Sequence, residues 1–243
     1  MCKVLVIIPC FNEEENIKKV INNIQLNSIL NNSITSDFFI ECLVINDCST
    51  DSTLKVCQEN GYNYLNLPVN LGIGGSVQSG YLYALEHGYD IAIQHDGDGQ
   101  HDPFYFKDVI NPIITGQADI VIGSRFLLPK GFQSTKLRRF GISIISKLIY
   151  LCTKIKVHDV TSGYRAVNRK YIELFSSRYD QDYPEPEAIV NALLNKAKIK
   201  EVPVVMHERK SGKSSISSLR SFYYMIKVSL TIILYRILFV RKD

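Results

Sequence analysis

The stretch Asp90-Ile91-Ala92-Ile93-Gln94-His95-Asp96-Gly97-Asp98-Gly99-Gln100-His101-Asp102-Pro103 decides the reading of this chain. Asp90 to Gln94 is an apolar run of strand length, and it ends in two carboxylates two residues apart. If the strand stops between them, Asp96 and Asp98 point into the same crevice, and glycines at 97 and 99 let the backbone turn and approach a ligand closely. Oxygen donors of this kind suit Mg²⁺ or Mn²⁺ bridging a diphosphate. A divalent ion there offsets the negative charge that grows on a departing diphosphate. A bare pair of aspartates at this spacing is usually a solvated acidic turn. The buried strand before it and the Gln-His-x-Pro after it favour the metal reading.

Working outward, the first half alternates strands and helices. Val4 to Ile8 is a β-branched run expected of a strand buried on both faces. Glu13 to Ile24 follows as a helix with acidic residues in its first turn. Ile40 to Ile45 is the next strand, and the turn Asn46–Asp51 leads into a second helix. Tyr62 to Leu67, a glycine-rich turn at Gly72–Gly75 with a helix to about Glu86, and a strand at Asp119–Ile122 continue the rhythm. It predicts an α/β domain with an open, mostly parallel sheet, whose ligands sit at the carboxyl ends of the strands. After Arg125 the rhythm changes. A helix is expected over Arg138–Lys156, then a glycine-punctuated stretch at Thr161–Tyr164, a helix near Glu187–Asn195 and a strand at Lys200–Val205. Arg209–Ser218, rich in Ser with Gly, reads as a mobile loop.

A length of 243 residues suits one large domain, or one domain with an appendage. The formal charge of +4 gives no argument for nucleic acid, because basic residues are dispersed through the first two thirds. The six cysteines form no CxxC pair and have no His at zinc spacing, so free thiols in a reducing compartment are expected. The apolar run before Pro9 is too short for a signal peptide, and the chain reads as cytoplasmic.

Six further stretches accompany Asp96–Pro103 in order along the chain: Pro9-Cys10-Phe11-Asn12-Glu13, Asn46-Asp47-Cys48-Ser49-Thr50-Asp51, Leu71-Gly72-Ile73-Gly74-Gly75, Gly123-Ser124-Arg125, Asp159-Val160-Thr161-Ser162-Gly163-Tyr164-Arg165 and Arg209-Lys210-Ser211-Gly212-Lys213-Ser214. Each is weak alone; seven in order are specific. Together they resemble the family 2 glycosyltransferases, in the branch of the dolichyl-phosphate-mannose synthases. The resemblance implies a GT-A-like fold over residues 1–218, followed by a C-terminal apolar membrane-interface helix over 219–243. It implies inverting transfer of a hexose from a UDP- or GDP-sugar to undecaprenyl or dolichyl phosphate, at the cytoplasmic face of a membrane. It also implies that Pro9, Phe11 and Glu13 line the nucleoside site, that Asp47 holds base or ribose, and that Gln100 joins Asp96 and Asp98 on the metal. The family pattern usually has Lys where this chain has Ile73, which puts a cationic contact there in doubt.

The residue types fit these roles on their own chemistry. Phe11 offers a face for stacking, and the carboxylates can accept from ribose or base; equally, Asn12 can cap a helix whose dipole Glu13 and Glu14 complement. Asp51 reads as a cap for the helix after it. The glycines at 72–75 either favour phosphate at a helix N-terminus or serve close packing. Arg125, after a strand, is expected to project towards phosphates. Arg139 and Ser143 stand four apart on one helical face, able to grip an acceptor phosphate. With Asp98 these complete the expected catalytic set. Arg209 and Lys213 could close over the diphosphate or be a solvated basic loop. His101 reads as a hydrogen-bonding scaffold. Glu185 and Glu187 stay open between a base, a contact to donor hydroxyls and a helix cap. A hydroxyl acceptor needs a base, whereas a lipid phosphate is already anionic.

Phe222–Val240 is nearly long enough to span a bilayer, but Lys227 and Arg236 would each cost about 2.5–3.5 kcal/mol at its centre. A helix lying at the interface, or packed on a small membrane protein, is the expectation; an ordinary core helix is the alternative. Rival functions are transfer to a sugar hydroxyl of a growing cell-surface glycan, a non-catalytic nucleotide-sugar-binding module, and a nucleotidyltransferase, which would need a Gly-rich basic start after the first strand.

Overall fold

The structure, a computed structural model, describes residues 1–32, 38–181, 184–208 and 218–240. The loop expected at Arg209–Ser218, with Arg209 and Lys213, falls almost wholly outside them. The elements follow in the order β1 (Cys2–Cys10), α1 (Ile17–Asn32), β2 (Phe38–Asn46), α2 (Thr53–Glu59), β3 (Tyr64–Asn66), α3 (Gly72–Glu86), β4 (Ile91–Gln94), a single 3₁₀ turn (Pro103–Tyr105) and α4 (Phe106–Ile114). The second half comprises β5 (Ile120–Ser124), α5 (Lys136–Thr153), β6 (Arg165–Asn168), α6 (Arg169–Ser177), α7 (Pro184–Leu194), β7 (Ile199–Pro203) and α8 (Ser218–Val240).

The strands pair in the order β3-β2-β1-β4-β6-β5-β7. All pairs are parallel except those of β6, which runs antiparallel to β4 and β5. Side chains alternate between the two faces of the sheet. Leu5, Ile7, Leu43 and Ile45 join one core with residues of α3, α5, α6 and α7, while Val4, Val6, Ile8 and Val44 join the other with α1 and α4. From β1 the chain adds β2 and then β3 on one side before crossing to β4 on the other. The crevice of such a sheet opens at that reversal, outside the carboxyl ends of the central strands. Pro9, Asp47 and the Asp96 loop all emerge there.

Three elements lack a counterpart in the sequence reading: α4, β6 and α6. Strand β6 is four residues long, starts with Arg165, and passes directly into α6, which Asn168 caps by accepting from Tyr171 N. It presents neither alternation nor a terminator. Helix α1 begins at Ile17 rather than Glu13, after a turn in which Glu13 O accepts from Ile17 N. Helix α8 places Val228 and Ile232 in the same core as α5 and α7.

Of the glycines that open α3, Gly72 takes a left-handed φ of 73° in open space, while Gly74 and Gly75 are there for close packing. Gly74 N donates to Gln181 O at 3.1 Å, and a Cβ on Gly74 would stand 2.2 Å from Asp180 O and 2.5 Å from Gln181 Cα. These neighbours are backbone and cannot swing aside. Gly74→Ala is therefore expected to cost about 1–3 kcal/mol as an overpacking change. Thermal unfolding should register this as a fall of about 2–4 °C per kcal/mol, and an unchanged midpoint would contradict the packing.

Candidate active site

Where β4 ends, His95 N still bonds Ile7 O at 3.0 Å, and the chain then folds back on itself. Asp96 N donates to His101 Nδ1 at 3.0 Å. The His101 ring stacks on Tyr164 with centroids 5.0 Å apart and meets His95 edge-on at 5.3 Å. Burial is the main cause that lowers His101 to about 4 and His95 to about 3. Both imidazoles are therefore neutral near pH 7, as the bond from Asp96 N requires of Nδ1. The scaffold reading of His101 matches this geometry. Asp98 Oδ1 accepts from Gln100 N at 3.0 Å. Gln100 Nε2 donates to His207 O at 3.2 Å, and His207 N donates to Gln100 O at 2.9 Å. With its amide nitrogen so engaged, Gln100 keeps its amide oxygen as the atom able to ligate a cation.

Asp96 and Asp98 share one neighbourhood. The Cys10 thiol is pushed well above its ordinary value, first by burial and then by the charges of Glu13, Cys57, Asp96 and Asp98. Gly163 lies against the same carboxylate, for a Cβ there would be 3.1 Å from Asp96 Oδ2 and 3.1 Å from Gln94 Nε2. Among the described residues no three His, Cys, Asp or Glu side chains form a metal cluster. Two carboxylates and an amide oxygen instead fit a hard cation that takes its remaining ligands from phosphate and water.

On the neighbouring strand ends, Phe11 is half exposed and Glu13 is buried. Glu13 N donates to Thr53 Oγ1 at 2.9 Å, and its Oε2 accepts from Asn16 Nδ2 at 2.7 Å. Asn12, at φ 58°, does not cap α1. Its Oδ1 accepts from Thr50 N at 2.8 Å and so ties the turn after β1 to the turn after β2. Asp51 Oδ1 accepts from Thr53 N at 2.9 Å, where a cap was expected. Asp47 lies in the crevice but spends both oxygens on the start of α3, accepting from Leu71 N at 2.7 Å and Gly72 N at 2.9 Å. Those two N–H groups are thus occupied by this chain's own carboxylate.

Arg125 is placed differently from the expectation. Its Nε and Nη2 bond Asp159 Oδ2 and Oδ1 at 2.8 and 2.6 Å, and its backbone N–H donates to Oδ2 at 2.9 Å. Buried with this partner, the guanidinium serves the fold of the loop rather than reaching out for phosphate. Arg139 stands outside. Its guanidinium and that of Arg125 both lie over the Phe126 ring, at 5.9 and 5.4 Å from the centroid. Ser143 is exposed one turn further along α5. The two glutamates separate. Glu185 is pushed up by burial and pulled back by Arg165, with Asp96 and Gln94 also bearing on it. Glu187 is buried and raised to about 8, first by desolvation and then by Asp180, while Thr231 and Lys227 of α8 oppose the shift.

The segment Asp159–Arg165 turns out to brace the whole site. Ser162 Oγ donates to Gly123 O at 2.6 Å, Tyr164 OH to Asp102 O at 3.0 Å, and Arg165 Nη1 to Glu185 O at 3.3 Å. Sequence reasoning quoted this stretch but gave its residues no roles.

The "Glycosyl transferase family 2" model matches residues 5–175. The chain belongs to this family. A UDP-N-acetylglucosamine–dolichyl-phosphate N-acetylglucosaminyltransferase of Methanococcus voltae is 31% identical over 221 residues, covering 83% of this chain and 84% of the relative. A polyprenol monophosphomannose synthase of Mycolicibacterium smegmatis is 26% identical over 240 residues, covering 93% and 86%. Among solved structures, glucosyl-3-phosphoglycerate synthase from Mycobacterium tuberculosis, in complex with Mn²⁺, UDP and glucosyl-3-phosphoglycerate, superposes with a TM-score of 0.68 at 20% identity. That likeness covers 97% of this chain and 79% of the other, and it gives the GT-A-like fold. As a family 2 glycosyltransferase the chain is an enzyme.

The Arg125–Asp159 pair has a direct test. Removing one partner of a buried ion pair costs about 3–5 kcal/mol. Arg125→Ala should therefore lower the unfolding midpoint by about 2–4 °C per kcal/mol. Weakened nucleotide binding with an unshifted midpoint would return Arg125 to a ligand-contacting role.

Proposed function

We propose that this enzyme transfers a hexose, with inversion, from a nucleoside-diphosphate sugar to a polyprenyl phosphate. The observation that carries the reading is on α5. There Leu137, Phe140, Ile144 and Leu151 are all exposed along one stripe; Ser143 borders that stripe and Arg139 stands one turn before it on the adjoining face, so a phosphate grip lies beside a surface suited to a lipid chain. The names of the relatives, which act on dolichyl phosphate and polyprenol monophosphate, support the same acceptor class.

In this reading Phe11, Pro9 and Glu13 bind the nucleoside, and Asp47 positions the loop before α3 around it. Asp96, Asp98 and Gln100 would hold Mg²⁺ or Mn²⁺, which supplies Lewis-acid relief of charge on the leaving diphosphate. Arg139 and Ser143 hold the acceptor phosphate in line with the anomeric carbon. A phosphate oxygen forms the new bond to that carbon as the bond to the nucleoside diphosphate breaks, and the electron pair departs with the diphosphate. Arg209 and Lys213 are proposed to close over the donor. No proton needs to be removed from the acceptor, and Glu187, turned towards Asp180 and α8 and protonated near pH 7, is unsuited to remove one. Among the described residues no helix is long and apolar enough to cross a membrane. We assign α8 to the membrane surface, beside α5, with a small membrane protein as one possible companion.

Nucleotide sugars assayed against undecaprenyl phosphate and against oligosaccharide acceptors test the proposal. Lipid-linked product is expected, and both Asp98→Asn and EDTA should abolish it. Loss of a charged hydrogen bond is worth about 1.5–3 kcal/mol, so Arg139→Ala should impair use of the lipid acceptor at least tenfold while leaving nucleotide affinity unchanged. Transfer to the oligosaccharide alone would sink the lipid-phosphate reading.

Glu187 offers a second check, through pH. A carboxyl whose folded value is about 8 against an ordinary 4.5 keeps a proton that the unfolded chain gives up. The native state then binds more protons between those values, and stability falls as pH rises through that window. Glu187→Gln removes this loss. Its midpoint should exceed that of the wild type by a margin that widens from pH 5 to pH 8, with lipid-acceptor activity retained. Inactivity with a parallel stability profile would mark Glu187 as a base after all.

A further inference from the structure

Helices α5 and α8 lie side by side and run in the same direction. Near their starts, a Cβ on Gly141 would stand 2.2 Å from Met225 Sδ; near their ends, Cys152 and Arg236 line a common cleft. Each turns one face inward, with Ile142, Ile145 and Ile149 from α5 and Val228 and Ile232 from α8 in the core. Each leaves an apolar stripe outside. On α8 it consists of Ile226, Leu230, Ile233, Leu234 and Ile237, all exposed. The two stripes form one ribbon leading away from Arg139 and Ser143.

At the far end of that ribbon the α5, α7 and α8 surfaces leave a cleft of about 490 Å³. Thr153, Lys154, Lys196 and Arg236 line it together with Leu193 and Leu194, and among the described residues its lining holds no carboxylate. Lys154 and Lys196 both sit at φ 62°, just past the ends of α5 and α7. Each of those helix ends carries about half a negative charge. Three full cations against two such ends leave about two positive charges facing the cleft. Tyr150 and Leu151 in the last turn of α5, Ile155 just past it, and Ile233 and Ile237 in the turns of α8 that flank Arg236 are all exposed. A cationic notch framed by apolar side chains matches a phosphate carried at the edge of a hydrocarbon phase.

We propose that this cleft binds the phosphate of an anionic phospholipid in the bilayer on which the α5–α8 ribbon rests. It is a site separate from that of the acceptor, and it rests on the membrane-surface reading given above. Bound there, the lipid would fix the far end of the ribbon while the acceptor phosphate occupies the near end. Helices α5 and α8 would then lie along the membrane, with the acidic crevice held at head-group height.

The test is co-sedimentation of the full chain with phosphatidylcholine vesicles and with mixed phosphatidylcholine–phosphatidylglycerol vesicles. The variant is Lys154→Asn/Lys196→Asn/Arg236→Gln, since Asn tolerates the left-handed backbone at 154 and 196. The wild type is expected to prefer the mixed vesicles. Each basic group at an anionic surface changes partitioning about fivefold, so the variant should lose most of that preference, while keeping its affinity for pure phosphatidylcholine and for nucleotide. A control, Lys18→Gln/Lys19→Gln/Lys55→Gln, removes the same charge from exposed positions of α1 and α2 and should change little. An equal loss in the control would overturn the site in favour of diffuse attraction. If glycerol phosphate without vesicles stabilises the wild type but not the variant, and displaces it from mixed vesicles, the occupant is a soluble phosphate ester and the lipid assignment fails. Binding to neither vesicle would overturn the membrane reading and the site with it, whereas the control outcome overturns the site alone.

Discussion

The neutral ring of His101, buried against Tyr164 and accepting the backbone N–H of Asp96, fixes where the two aspartates of the site come to rest. The loop between them can turn because Gly97 and Gly99 allow it, but permission is not direction. Direction comes from the imidazole, which must present a lone pair at Nδ1. Burial favours this by lowering His101 to about 4, so that the ring is neutral near pH 7. Asp98 and Gln100 are then ordered by the bond from Gln100 N and by the paired contacts to His207. The carboxylates thus stand close together at a strand end, an arrangement that suits two anions when a cation joins them. Tyr164, in turn, is held by its own bond to Asp102 O. The acidic loop and the segment Asp159–Arg165 therefore set each other's positions.

What could be read in the sequence divides along physical lines. The parallel half of the sheet was legible because buried strands are short apolar runs rich in β-branched residues, as in Val4–Ile8, Ile40–Ile45 and the Ile91–Ile93 centre of Asp90–Gln94. Strand β6 was not, because four residues starting with an arginine carry no periodic signal, and its antiparallel place between β4 and β5 is a property of the sheet. Residues of the crevice were legible as types at strand ends: Pro9, Phe11, Glu13, Asp47, Asp96 and Asp98 all gather there. How each side chain is spent was not. Asp47 is consumed by two backbone N–H groups some 24 and 25 positions away, and Arg125 by Asp159, 34 positions away. No local pattern reports a partner at such distances. Glu185 and Glu187 show the same limit. Two residues apart on a helix start, they face different surroundings, one towards Arg165 and Asp96, the other towards Asp180 and α8.

Arg125 is neutralised inside the fold by Asp159, whereas the charges at the crevice and on the α5 surface are left for ligands of opposite sign. The carboxylates of Asp96 and Asp98 are kept at the crevice, where a cation can join them. Arg125, which might have paired with them, is bound to Asp159 instead. Arg139 stays on the surface of α5 over the face of Phe126, with no carboxylate partner among the described residues, and so keeps its charge available to an anion. Glu187 meets Asp180 as a like-charge neighbour, and burial resolves the conflict by keeping a proton on the pair.

The same Asp180 joins the two ends of the enzyme. Its carboxylate accepts from Tyr235 OH at 3.2 Å through either oxygen, and Arg178 lies over the Tyr235 ring at 5.7 Å. One residue on, Gln181 O accepts from Gly74 N, and the turn before Gly74 is held by Asp47 at the end of β2. Strand β2, helix α3, the 178–181 segment and α8 are thus linked in series by hydrogen bonds between groups that packing leaves little freedom to move. A glycine at 74 is what lets the segment come so near, since any side chain there would strike backbone. Ile73, where the family resemblance implies Lys, sits in the same turn. The two N–H groups that would otherwise attract an anion from outside already have one in Asp47.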